Sequence, residues 1–554
     1  MTPMTTATDA PSAVAGARPA AASGPGRVTL ALARIEGRRL LRSPALVVGV
    51  ALGALQIGPG ALWPEAADLR LRAMDAGFLV LPLAAAALIA SSLATLRARR
   101  HGTEELLSVT PAPPQARTAA HLLAPLGMAF VAVLVVTAAL LGAWRFRYGF
   151  ARPDLAEAAV GPLLVLGAGA LGVLLARWLR SSLAAVVACV GIAAMQLIVS
   201  GLAQTNPLRR LAFWAQSADM RPELLPGRLA RWHLVYLVGL VAMAAAGALS
   251  RHGLSRKVTV AGVLAVVMVG TSAWFQARPI PASVWASRNA LLETPQDFQQ
   301  CQEREGVGYC AYPAYRSLVE LWAAPVTGVR RALPPGRWPA DVLVSQRVTG
   351  NDRFWVTSPD VQRKLPALPP KGGPTVDDGH LHPPLLWDTT GRAELGLAVM
   401  AASRAVGLPL AQPGPDLRCD ASGQARAVVA LWLAGQATPS TARTLRQLTR
   451  DAMADVGGRV FLVIPDYGTP GAVAFGATEV ALALELLSRP ATSVATAVGA
   501  SWDDLTASET PSTTAASVLR LGEPGPAPFR GHSDMRGFSS FNGQAIPTIG
   551  QACP

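Results

Sequence analysis

The apolar residues of this chain gather into runs at 45–63, 77–96, 121–143, 157–176, 182–203, 233–250 and 258–275. Each run is almost free of charge. Each is also close to the length a helix needs to cross a hydrocarbon core about 30 Å thick. Soluble cores contain such a run occasionally, but seven within the first 276 residues predict a polytopic α-helical membrane domain of six to seven spans over residues 28–276. Beyond residue 276 the pattern changes. Helical periodicity appears at 314–323, 394–406, 424–435, 440–454 and 475–488, and strand-like runs at 340–346 and 459–464. The Pro/Gly-rich stretch 365–384 and the tail 521–554 read as loops or flexible ends. Residues 277–554 are thus expected to form an α+β domain with one core of its own, containing Trp285, Trp322, Trp387, Trp432 and Trp502.

Polar positions refine this division. Residues 1–27 are rich in Ala, Pro, Gly, Thr and Ser and carry no apolar core, which predicts a disordered cytoplasmic tail. Residues 28–43 then interleave Leu30, Leu32, Ile35, Leu40 and Leu41 with Arg34, Arg38, Arg39 and Arg42. That is a basic amphipathic helix, suited to lie on an anionic membrane face with its arginines toward lipid phosphates. The alternative is a cytoplasmic extension of the first span.

Charge divides at the same place as hydropathy. Residues 1–276 hold 25 Arg and Lys against 11 Asp and Glu, whereas residues 277–554 hold 24 of each. The basic excess therefore surrounds the apolar runs, which argues for membrane topology as its cause and against a nucleic-acid partner. With the amino terminus inside, the inner segments carry 15 Arg and Lys and the outer connections 64–76, 144–156 and 204–232 carry 10. That bias places residues 277–554 outside a bacterial cell membrane.

Chemistry-bearing motifs are sparse. The chain has no GxxxxGK[ST] phosphate loop, no HExxH, no CxxC pair and no GxSxG elbow, so no catalytic residue, cofactor or metal is assigned and any ATP hydrolysis is expected on another subunit. Cys301 and Cys310, nine apart, are a possible disulfide in an oxidising compartment, and Cys419 and Cys553 are a second candidate pair. Within the apolar runs Gln56 and Gln196 are expected to seek helix partners or to line a pathway. Asp377, Asp378, His380 and His382 sit together in VDDGHLHPP. Two histidines at i, i+2 on an extended strand point the same way and suit a divalent ion, while a solvated loop is the plainer reading.

The most informative polar stretch lies between the second and third runs, where residues 102–125 read GTEELLSVTPAPPQARTAAHLLAP. Thr103 is placed to cap a short helix with Glu104 and Glu105 in its first turn, and Pro111, Pro113 and Pro114 end it. This stretch resembles the inner loop of permease subunits of type-2 ABC exporters, which often reads GTLEQLLVTPLSR ahead of a GKLLP-like start to the next span. The matching positions are Gly102, Thr103, Glu105, Leu106, Leu107, Thr110 and Pro111, then Leu122, Leu123 and Pro125. The resemblance covers roughly residues 28–250. It implies that Gly102–Pro111 is a coupling helix seated in a cleft of a separate ABC ATPase subunit. It also implies that the permease works as a homodimer or heterodimer exporting an apolar or amphipathic substrate. A typical member stops after six spans, whereas this chain adds a seventh and a large further domain. That addition keeps a second class open, a membrane-anchored extracytoplasmic interaction or sensing protein without transport activity.

Overall fold

Among the described residues, all seven apolar runs are mainly helical in the computed structural model. It describes residues 25–61, 69–103, 113–146, 152–200, 207–213, 230–278, 294–346, 379–383, 391–410, 417–451, 454–456, 459–462, 473–522 and 548–554, with single positions at 283, 286, 290 and 387. Nearly all of the tail 1–27 therefore lies outside the described residues, as do Trp285, Asp377 and Asp378.

Among the described residues, the first part of the chain is built of helices: α1 (Pro25–Leu41), α2 (Pro44–Ala61), α3 (Leu69–Leu79), α4 (Leu81–Arg100), α5 (Pro114–Leu123), α6 (Leu126–Phe146), α7 (Leu155–Ala158), α8 (Val160–Leu179), α9 (Leu183–Ser200), α10 (Ala230–Ser250) and α11 (Arg256–Ala277). Five stretches are long and apolar enough to cross a membrane: Ala76–Arg100, Pro114–Gly142, Leu155–Leu179, Ala230–Ser250 and Arg256–Ala277. Pro44–Leu55 and Leu183–Val199 are shorter apolar helices. By length and composition, then, five of the seven expected spans qualify among the described residues.

Helix α4 occupies the middle of this bundle, with two thirds of its apolar stretch buried, and its main neighbour is α8. Small residues of α8 make this contact: Gly169, beside Ser91, and Gly172, against Leu88 and Ser92 of α4, all buried. Lipid tails are as apolar as leucine, so helices in a bilayer associate through close backbone approach and dispersion rather than by hiding apolar surface from water. Gly172 shows how close this approach is. A Cβ there would overlap the Leu88 carbonyl oxygen, so no other residue fits without moving α4 away. At the other extreme, α11 is only 11% buried along its apolar stretch. It exposes Val260, Val263, Leu264, Val266 and Val267 by half or more, which suits a helix facing lipid.

Between α9 and α10 lies a short 3-10 turn, Pro207–Leu211, that packs against α9 and α11. Here the Phe213 backbone N–H donates to Gln196 Oε1 at 3.0 Å, so the Gln196 amide binds this turn. The Gln56 side chain lies outside the described residues.

Residues beyond 290 build two small sheets packed by helices. Strands β1 (Gln300–Arg304) and β2 (Val307–Ala311) form an antiparallel hairpin, and β3 (Leu343–Ser345) runs parallel to β2. The second sheet has the order β5-β6-β7-β4-β8, from β4 (Leu417–Asp420), β5 (Ala454–Val456), β6 (Arg459–Leu462), β7 (Val473–Gly476) and β8 (Thr548–Ala552). Strand β4 is parallel to both β7 and β8, while β5, β6 and β7 pair antiparallel. Around the sheets lie α12 (Val319–Ala332), α13 (Arg392–Ala405), α14 (Ala425–Gln436), α15 (Pro439–Asp451), α16 (Ala477–Leu486), α17 (Ala491–Ala500), α18 (Trp502–Thr506) and α19 (Ser512–Val518). Helix α14 is buried at every position from Ala425 to Gly435, all apolar but Arg426; a helix with apolar residues on every side belongs in the middle of a core. Its Trp432 joins Trp322, Trp387 and Trp502 in one cluster that draws every member from between Val307 and Cys553.

One expectation needs correcting here. The tail 521–554 read as a loop or flexible end, yet Thr548–Ala552 is a strand paired to β4. The segment is too polar to announce itself by alternation. What holds it is non-local: the Cys419–Cys553 disulfide, and the Cys553 N–H donating to the Asp420 carbonyl at 2.9 Å. The buried Arg426 side chain adds to this by donating to the Cys553 and Pro554 carbonyls.

Candidate functional site

The polar segment between α4 and α5 is the candidate site, and its two flanks are described. Helix α4 ends at Arg100, and the Gly102 N–H returns to the Arg99 carbonyl at 3.1 Å while the Thr103 N–H returns to Ala98 at 2.9 Å. That pair of bonds is a Schellman closure, which needs a left-handed residue after the cap; Gly102, at φ +63°, supplies it. The Thr103 hydroxyl donates backward to the Ala98 carbonyl at 3.2 Å. Gly102 and Thr103, expected to open a coupling helix, therefore close α4. Glu104, Glu105, Leu106, Leu107, Thr110 and Pro111 lie outside the described residues.

On the α4 side, Arg97 donates to Glu36 of α1 at 3.1 Å. Glu36 also accepts from Arg39 at 2.8 Å. This carboxylate is mostly shielded from solvent (side chain 15% exposed), which raises the cost of removing its partner above that of an exposed pair. On the α5 side, Thr118 donates to the Pro114 carbonyl at 3.1 Å and lies 2.8 Å from His252 Nε2, in the turn between α10 and α11. Burial pushes the His252 imidazole below its ordinary range, and the charges of Arg177, Arg251 and Arg117 push the same way. Both ends of the segment are therefore fastened to other helices, one to α1 and the other to the α10–α11 turn. Sequence reasoning missed both fastenings, because Glu36 and Arg97 stand 61 positions apart, and Thr118 and His252 stand 134 apart.

The basic helix α1 packs against α5 and α6, burying Ala33 and Leu40. Arg34, Arg38 and Arg42 are exposed, as are Leu30, Ile35 and Leu41. A helix that leaves both arginines and large aliphatic residues uncovered has the composition of a membrane-surface helix. Arg39 differs from the other three, since it is paired within the protein to Glu36.

Beyond residue 290, Cys301 and Cys310 stand directly across the β1–β2 hairpin and are joined as a disulfide. Cys419 and Cys553 form a second bridge, and Cys189 is free. His380 and His382 lie beside β3, with ring centres 6.4 Å apart. Among the described residues no group of three or more His, Cys, Asp or Glu gathers as a metal would require for a full ligand set.

No family model, no curated protein and no solved structure matches this chain. The reading of its function rests on its own residues.

Proposed function

We propose that this chain is the permease subunit of an ABC exporter in a bacterial cell membrane. It works as a dimer and moves an apolar or amphipathic substrate with a separate ATPase subunit. The observation that carries the reading is the double fastening of the polar segment. A push on residues 104–112 would act at once on α4 and α5, and through Arg97–Glu36 and Thr118–His252 on α1 and the α10–α11 turn. An element built to transmit force from a cytoplasmic motor needs this connection to several helices. The five long apolar helices and the GTEELL…TP string support the same reading.

The test is association with the ATPase. Purified from its native membrane, the chain is expected to bring down a subunit with a phosphate loop and ATP-hydrolysing activity. Glu105→Arg combined with Leu106→Asp is expected to abolish that association while leaving membrane insertion intact. Purification without any ATPase, or with an ATPase that the double variant retains, sinks the reading. A separate core within residues 307–553 favours the second class, a membrane-anchored interaction or sensing protein, and the first of those outcomes would leave that class standing.

A further inference from the structure

The histidines of VDDGHLHPP are placed by the sheet. Leu381, between them, bridges Val344 of β3 in parallel. The Leu381 N–H donates to the Leu343 carbonyl at 2.8 Å, and the Ser345 N–H donates to the Leu381 carbonyl at 2.9 Å. Leu381, Val344 and Tyr309 are fully buried in the core. Side chains alternate along a strand, so the flanking His380 and His382 go to the other face of this sheet. That is also the face of Ser345 and, one strand further, of Cys310 with its bridge to Cys301. Both histidines are half-buried, so neither imidazole simply trails in solvent.

Two further observations concern the rings themselves. His382 Nδ1 lies 2.8 Å from the Ser345 carbonyl oxygen. A carbonyl only accepts, so Nδ1 carries the proton and the lone pair of the neutral ring is on Nε2. This is the arrangement by which a backbone carbonyl orients a metal-ligating imidazole. The ring centres are 6.4 Å apart. Two imidazoles that share one ion through bonds of about 2.0–2.1 Å hold their ring centres roughly 5–6.5 Å apart, depending on the angle at the metal. The observed spacing falls at the open end of that window.

We propose that His380 and His382 form a chelating pair for a divalent first-row metal ion of the imidazole-preferring kind, Zn²⁺ or Cu²⁺. The site lies on the sheet face that carries the Cys301–Cys310 disulfide. Two protein nitrogens leave the other coordination positions to water or to an added ligand, so the site is an open, exchangeable one rather than a closed structural centre. The histidine of the pair that the sheet orients is His382, through Ser345; His380 completes the chelate from the same strand.

The experiment is a Cu²⁺ titration of the untagged full-length chain in detergent, followed by electron paramagnetic resonance, with Zn²⁺ competition as a second reading. The expected result is one saturable equivalent whose spectrum shows coupling to two imidazole nitrogens, displaced by Zn²⁺. His380→Ala and His382→Ala are each expected to weaken binding by about 10–100-fold and to reduce the coupling to a single nitrogen. Circular dichroism and the melting temperature report whether each variant is folded, and an additional His382→Gln guards against a misfolded alanine variant. No saturable binding up to roughly millimolar metal, binding unchanged in either folded variant, or a spectrum without imidazole coupling each overturns the proposal.

Discussion

The two disulfides make a quantitative prediction, because they close loops of very different length. Cys419 and Cys553 are 134 residues apart, whereas Cys301 and Cys310 are nine apart. On the chain-entropy relation, closing the long loop removes unfolded-state freedom worth about 5 kcal/mol at 25 °C, and closing the short one about 2.5 kcal/mol. In a unit of this size a kcal/mol moves the melting temperature by about 2–4 °C. Cys419→Ala with Cys553→Ala is therefore expected to melt roughly 10–20 °C lower than the parent, and Cys301→Ala with Cys310→Ala about half as far below it. Alanine is chosen because Cys419 and Cys553 are both nearly inaccessible (3% and 4% exposed), and serine would add an unsatisfied hydroxyl. Thermal unfolding followed by tryptophan fluorescence reads the correct unit, since Trp322, Trp387, Trp432 and Trp502 all sit in the affected core. Adding reductant to the parent protein is expected to reproduce the long-loop variant or to exceed it. If the long-loop variant melts no lower than the short-loop one, loop closure is not what these bonds contribute.

Other substitutions probe the helical part and the core. Gly172→Leu places a side chain where the Leu88 carbonyl oxygen stands; it is expected to cost about 1–3 kcal/mol or more, read as a lower melting temperature in detergent, and a parent-like melt would refute the close approach of α4 and α8. Arg97→Ala is expected to cost about 1–2 kcal/mol because it leaves the shielded Glu36 with Arg39 alone, and Glu36→Gln on that background should add little; full additivity in the double-mutant cycle would mean the pair is not coupled. Arg426→Met removes donors from the Gly407, Cys553 and Pro554 carbonyls and is expected to cost about 2–4 kcal/mol, with faster hydrogen exchange in β8 than in β7; equal exchange in the two strands would count against the clamp. His252 resists protonation in the folded state, while the unfolded chain takes up that proton near about pH 6.5. Stability from this group is therefore full above that pH and declines below it, so the parent should lose more stability than His252→Gln between about pH 7.5 and pH 5; identical pH slopes would show that His252 does not contribute.

The helices were legible in the sequence wherever an apolar run was long, as at 233–250 and 258–275, which became Ala230–Ser250 and Arg256–Ala277. Local pattern was enough there because a helix satisfies its own backbone. Strands were legible only where hydrophobic, as in Val460–Leu462. Leu417–Asp420 and Thr548–Ala552 escaped because each is short and polar, and their partners lie far away in the chain. The site divides the same way. The GTEELL…TP string can be read directly, but Glu104–Pro111 lie outside the described residues. The fastenings Glu36–Arg97 and Thr118–His252 depend on helix packing that no local pattern encodes. His380 and His382 were visible as a pair, whereas the face they share followed only from the Val344–Leu381 bridge.

The pairing of β4 with β8 also dictates an order of events. Strand β4 has one flank on β7 and the other on β8, and β8 begins 128 residues after β4 ends. Until Thr548–Ala552 emerges, one edge of β4 offers unpaired backbone groups to any other strand nearby. Contacts of such sequence separation form slowly. This part of the protein must therefore spend its synthesis with an open flank, and its vulnerability to aggregation is greatest in that interval. A truncation just before residue 548 would make the interval permanent.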